Sequence, residues 1–145
     1  MSLHTQAIHP HETSNPIWRD ICQMSDLVEN SGVCALLPSL ISTPQSSREV
    51  QISDQHAQIA IFYLPKTQSV YALSNWDPIG KANVMYRGIV GSIADEAMVS
   101  SPLYKQHFSL LSGKCFEDES VALKTYSCRL FDGKVQICNQ YLVSA

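Results

Sequence analysis

No apolar run in this chain approaches the ~18 residues that a membrane-spanning helix needs. The N-terminal stretch MSLHTQAIHPHETSNP has neither the basic start nor the apolar centre of a secretory signal. Both absences imply a cytoplasmic protein. The ten basic residues are scattered singly and the formal net charge is -3, so there is no electrostatic footprint for nucleic acid or an anionic membrane surface. The five cysteines, Cys22, Cys34, Cys115, Cys128 and Cys138, are odd in number, and no two lie within four residues of each other. That spacing excludes a local Cys-x-x-Cys metal loop and argues for reduced thiols, most of them buried as small hydrophobes, over a disulfide framework. The Gly-x-Gly-x-x-Gly spacing of a dinucleotide site is missing as well: MYRGIVG, Met85 to Gly91, reads as a loop and a strand with Gly88 and Gly91 supplying turn geometry.

What is present suffices for one domain, since a chain of 145 residues buries about two-thirds of its unfolded surface. Residues 1–15 are polar, carry His4, His9 and His11, and have no periodicity, which predicts a flexible tail whose histidines lack fixed metal-binding geometry. WRDICQMSDLVE, with Ser25 as cap signal, predicts one or two short helical turns. GVCALLP, Gly32 to Pro38, predicts a buried strand, and the Ser/Pro-rich PSLISTPQSSRE from Pro38 to Glu49 a surface loop.

Three hairpins follow. AQIAIFYLP and SVYALSN flank Pro65-Lys66-Thr67-Gln68; Ser112-Gly113 turns the chain between His107-Phe108 and Cys115-Phe116; Asp132-Gly133 supplies a pair of positive φ angles. The run Leu123 to Leu130 alternates, with Tyr126, Cys128 and Leu130 on one face, and Val135 and Ile137 continue the pattern on the return strand. Short strands at regular spacing with little helix predict an all-β antiparallel sandwich or partly open barrel. No internal repeat and no domain linker is evident. The domain spans residues 16–141, with a smaller β lobe inserted at about 74–118 between base strands near Gly32–Leu73 and Leu123–Cys138.

Two stretches carry the frame of a chemical site. LSNWDP, Leu73 to Pro78, precedes SSPLYKQHF by a little over twenty residues. This resembles a Rieske iron–sulfur site, in which Cys-x-His and Cys-x-x-His stand on two loops. Here the four positions hold Asn75, Asp77, Ser101 and Tyr104, whereas a Rieske centre needs two thiolates and two imidazoles. A hydrolytic reading, with Ser101, His107 and Asp77 as a triad, is weak because no Gly-x-Ser-x-Gly elbow is present and Ser101 is followed by Pro. A Cys34 nucleophile is disfavoured because GVCALL is expected to bury its thiol and raise its pKa.

Taken in order, WRDIC, GVCALL, ALSNWDP, RGIVG, SPLYKQHF, SGKCFEDE and the final Asp-Gly hairpin resemble the small subunit of the cytoplasmic NAD(P)H-dependent nitrite reductases over roughly Trp18 to Gln140. Departures are the long tail before Trp18, the Ser/Pro-rich insertion, and Tyr86 where a small residue is expected. The resemblance implies a Rieske-like fold without cluster ligands and no cofactor in this chain. It implies a large-subunit partner carrying FAD, siroheme and an iron–sulfur cluster, which reduces nitrite to ammonium. The chain then has no catalytic residue of its own. The alternative is a Rieske-type electron-transfer protein whose [2Fe-2S] cluster has unconventional ligands. The resemblance and the residue chemistry together nominate Trp76, Tyr86, Arg87, Tyr104 and Lys105 on the loop tips as partner contacts, since aromatic and Arg anchors dominate interface energetics.

Overall fold

The computed structural model describes residues 17–37 and 58–138; the expected tail and the Ser/Pro-rich loop lie outside them. Twelve strands make up almost all the regular structure among those residues. The central sheet contains β2 (Ser31–Leu36), β3 (Gln58–Leu64), β4 (Ser69–Ser74) and β10 (Thr125–Tyr126) in the order β10-β4-β3-β2. A second sheet has the order β1-β12-β11, from β1 (Trp18–Gln23), β11 (Cys128–Phe131) and β12 (Lys134–Cys138). Two smaller sheets fall within the stretch 74–118. One pairs β5 (Trp76–Asp77) with β6 (Ala82–Asn83); the other has the order β7-β8-β9, from β7 (Ile89–Ile93), β8 (Glu96–Ser100) and β9 (His107–Ser109). All named pairings are antiparallel. Among the described residues no helix is long and apolar enough to cross a membrane.

The continuous apolar run of β3 has a direct cause: both faces of the central sheet are covered. Ile59 and Ile61 pack with Ala72, Tyr126, Val135 and Ile137 toward the second sheet. Ala60 and Phe62 pack with Leu73, Met85, Val99, Phe108 and Leu110 on the opposite side. A strand buried on both faces reads as an unbroken apolar segment, without the alternation of a half-exposed one. Each large side chain in these clusters contributes ~1.5–3 kcal/mol relative to exposure. The second cluster also fixes the small sheets on the central one, because its members come from both.

The hairpins form where expected. Gln68 N–H donates to Pro65 O at 3.1 Å and closes the four-residue loop. Asp132 and Gly133 have φ of 53° and 74°, the left-handed pair that matches strand twist in a two-residue turn. Phe108 bridges Cys115 across the Ser112-Gly113 turn. The alternating run from Leu123 divides at Ser127: β10 pairs with β4 and β11 with β12, so the chain changes sheets there while Tyr126, Cys128 and Leu130 keep one apolar side.

Three expectations are corrected. WRDICQ is a strand, not a helical turn; only Met24–Asp26 coil as a 3-10 turn, with Ser25 inside it and Gln23 N–H donating to Asp26 Oδ2 at 2.9 Å. A register shift between Asp20 and Cys22 lets both Ile21 and Cys22 pack on the same core, and such a bulge breaks the period-2 signature of a strand. The β2 edge is only half covered, so Cys34 is exposed, and only Cys115 and Cys138 of the five free thiols are buried. Gly88 is extended, with φ of -70°; it is required for close approach, since a Cβ there would stand 2.5 Å from Ser100 O.

Candidate functional site

The two loops singled out in the sequence meet. The first, Asp77-Pro78-Ile79-Gly80-Lys81, joins β5 to β6. Asp77 Oδ1 accepts from the N–H of Ile79 (2.8 Å) and of Gly80 (2.9 Å), and Lys81 N–H donates to Asp77 O at 2.7 Å. The second, Ser101-Pro102-Leu103-Tyr104-Lys105, follows β8 and repeats that geometry. Ser101 Oγ accepts from Leu103 N–H at 3.2 Å, and Lys105 N–H donates to Ser101 O at 3.1 Å. Asp and Ser begin such turns because a short side-chain oxygen reaches the N–H two residues on, and Pro fixes the φ that follows. Both turns end on a lysine in the left-handed region, with φ of 60° at Lys81 and 65° at Lys105.

A hydrogen bond from Ser101 Oγ to Asp77 Oδ2, 2.5 Å long and wholly buried, staples one loop to the other. Gly80 lets Leu103 close over the joint, because a Cβ there would lie 2.4 Å from Leu103 Cδ1. Asn75, also fully buried, ties the first loop to its surroundings. Its Oδ1 accepts from Tyr86 N–H at 2.7 Å and its Nδ2 donates to Gln58 Oε1 at 3.0 Å, so it anchors the 3-10 turn Met85–Arg87 against β3. Three of the four positions expected to be vacant are therefore internal polar residues, Asp77 and Ser101 bonded to each other and Asn75 to Gln58 and the Tyr86 backbone. Tyr104 is different: its residue is 63% exposed.

The remaining nominated residues sit around this joint. Arg87 is exposed and its guanidinium lies 5.5 Å from the Tyr86 ring centroid, with Nε donating to the Tyr86 hydroxyl at 3.0 Å. Lys105 is exposed beside Tyr104, and Trp76 is half-buried at the foot of the first loop. A catalytic triad does not assemble. Asp77 and Ser101 bond each other, but His107 Nδ1 lies 2.5 Å from Glu117 Oε2 while His107 N–H donates to Glu117 Oε1 at 2.8 Å. Burial pushes the Glu117 carboxyl up, yet the His107 bonds outweigh it and hold the group below the usual range. The expectation that Cys34 is buried fails, but its thiol lies against Gln58 Oε1 and Asn75 Nδ2, each at 3.5 Å, and this partial desolvation still raises its pKa.

The donors present do not fit a [2Fe-2S] cluster. Such a centre of Rieske type takes two thiolates and two imidazoles. Here the Asp77 and Ser101 oxygens are occupied by each other and by backbone N–H groups, the Asn75 amide is held by Gln58 and Tyr86, and the nearest thiol, Cys34, is a single protonated one.

Sequence reasoning missed the loop repeat, although its signal is visible: Asp-Pro-Ile-Gly-Lys and Ser-Pro-Leu-Tyr-Lys share Pro, a branched apolar residue and a closing Lys. It also missed Gln58 and Glu117, whose partners are distant in sequence or lie across a turn.

Residues 40–138 match the family model described as a Rieske-like [2Fe-2S] domain. The chain is 38% identical over 120 residues to the nitrite reductase (NADH) small subunit of Escherichia coli strain K12, a match covering 83% of this chain and 95% of that one. The NMR structure of the E. coli protein NirD superposes with a TM-score of 0.65 at 34% identity, covering 87% of this chain and 99% of the other. A further match, 31% identical over 127 residues, lies inside the nitrite reductase [NAD(P)H] large subunit of Klebsiella oxytoca and takes up 88% of this chain but 11% of that protein. With the fold, the paired loops and these likenesses in agreement, the chain belongs to the Rieske-like family of NAD(P)H nitrite reductase small subunits.

Proposed function

We propose that this chain is the accessory small subunit of an NAD(P)H-dependent nitrite reductase, holding no redox group itself and docking on a large subunit that carries FAD, siroheme and an iron–sulfur cluster. The observation that carries this reading is likeness to a nitrite reductase small subunit over 95% of that protein's length. Support for the partner comes from the Klebsiella large subunit, in which a module of this kind is part of the same polypeptide. A tether confines two modules to each other's neighbourhood, and a separate chain needs a surface that replaces it. We assign that role to the stapled loop tips, with Trp76, Tyr86, Arg87, Tyr104 and Lys105 as contacts. Asn75, Asp77 and Ser101, at three of the four cluster-ligand positions, serve to hold the tip in shape, and Tyr104 at the fourth is left to meet the partner. Nitrite reduction by NAD(P)H draws on a cytoplasmic reductant, which supports a cytoplasmic location.

Co-expression with the large subunit of the same organism tests the reading. The two chains are expected to elute together on size exclusion, and the complex to reduce nitrite with NADH or NADPH. Elution as separate species under every ionic strength tried would overturn it.

A further inference from the structure

We infer that the loop tip is a cationic docking face built around a matched pair of lysines, Lys81 and Lys105, and that its occupant is an acidic surface of the large subunit. The inference rests on the proposed function and specifies the chemistry of that contact. Its first support is the distribution of charge. Residues 55–94 contain one carboxylate, Asp77, which is fully buried, and residues 97–116 contain none. Lys81, Arg87 and Lys105, all exposed, lie in these stretches. Asp95 and Glu96 stand at the far end of β8, about 16 Å from Ser101 at the rise of a strand. Glu117, nearer the tip, is taken up by the His107 backbone and ring. The ion pairs His107 with Glu117 and Lys134 with Asp20 do not involve the three tip cations, which have no ion-pair partner among the described residues. A protein with net charge -3 thus presents a locally positive end, the arrangement that steers association with an acidic partner.

The second support is conformational. Each tip loop closes on a left-handed residue, where a Cβ is disfavoured and glycine is the ordinary choice. The same lobe shows that choice: Ser109 Oγ accepts from Leu111 and Ser112 N–H, Gly113 N–H donates to Ser109 O, and the left-handed fifth residue is Gly113. Gly113 is also required by the close Leu123 carbonyl, 2.1 Å from where a Cβ would stand. Two independent loops carry lysine in this conformation, at the same point of the same turn. Asn30, Gln68, Ala94, Asp95 and Asp132 also have positive φ, so what sets the tips apart is the same residue type at the same point of two turns that are stapled together.

The test compares the parent chain with a Lys81→Gly, Lys105→Gly variant, titrated into the large subunit across a range of salt from about 50 mM to about 500 mM. Removing both lysines while relieving the backbone is expected to leave the melting temperature unchanged or higher. Affinity at low salt should fall by about tenfold, and the curves should converge at high salt. A second variant, Lys81→Asn with Lys105→Asn, keeps a residue tolerant of the left-handed region and is expected to weaken binding equally. If the parent binds and both variants bind as tightly with the same salt dependence, the lysine pair is not the docking element and the inference falls while the proposed function stands. A parent that does not bind the large subunit at any salt overturns both.

Discussion

Asp77→Ala is expected to destabilise the protein by about 3–5 kcal/mol and to lower its melting temperature by more than about 10 °C. The carboxylate is fully buried and accepts three hydrogen bonds, from Ile79 N–H, Gly80 N–H and the Ser101 hydroxyl. Alanine leaves all three donors facing a small void that offers no acceptor, and each unsatisfied buried donor costs ~1–3 kcal/mol. Asp77→Asn separates charge from geometry: its Oδ1 can keep both backbone bonds, its Nδ2 can donate to a rotated Ser101 hydroxyl, and a loss of only about 1 kcal/mol is expected. Thermal unfolding of the two variants checks the staple. An alanine variant melting within experimental error of the parent would mean that the loops hold together without it.

Gly113→Ala is the second large effect, about 2–5 kcal/mol of destabilisation. Gly113 has φ of 80°, and a Cβ there would stand 2.1 Å from the Leu123 carbonyl oxygen, a backbone atom. That carbonyl belongs to a residue whose own N–H donates to Gly113 O at 2.8 Å, so neither segment can withdraw without breaking the joint. Gly133→Ala supplies the control. Its φ is 74°, yet nothing lies within 4 Å of the added Cβ, so only the left-handed penalty of ~1 kcal/mol applies. Chemical denaturation of both variants should show the large gap; equal costs would show that steric crowding at Gly113 is unimportant.

Much of the fold is legible in local sequence because turn chemistry is local. Asp132-Gly133, Pro65 to Gln68 and Ser112-Gly113 each specify a hairpin without reference to the rest of the chain, and the strands they join follow. β1 escapes that logic. Its strand character comes from pairing with β12, more than a hundred residues away, and its bulge places Ile21 and Cys22 on one core so that the spacing imitates a helix. Cys34 is misjudged for a related reason: its apolar neighbours suggest burial, but among the described residues β2 is an edge strand paired with β3.

At the site, the positions are legible and their interactions are not. Asn75, Asp77, Ser101 and Tyr104 stand out because the frame around them resembles a cluster loop. Nothing in either segment alone says that Asp77 receives the Ser101 hydroxyl 24 residues on, or that Asn75 is claimed by Gln58 and the Tyr86 backbone. Those bonds form only once β3, β5 and β8 are in place. The loop repeat is the exception, readable in five letters twice over, and its closing lysines acquire meaning only when their backbone angles are known.

In the arrangement we propose, a Rieske-like tip docks on a nitrite reductase large subunit by shape and charge, with hydrogen bonds where a cluster would have been held. The most direct measurement is a calorimetric titration of the large subunit with this chain in two forms, one treated with chelator and one after anaerobic incubation with iron and sulfide, each assayed for acid-labile sulfide. The expected result is equal affinity for the two, with both colourless and far below the about two sulfides per chain that a [2Fe-2S] cluster contains. A reconstituted form holding about two sulfides per chain, and binding where the chelated form does not, would contradict it.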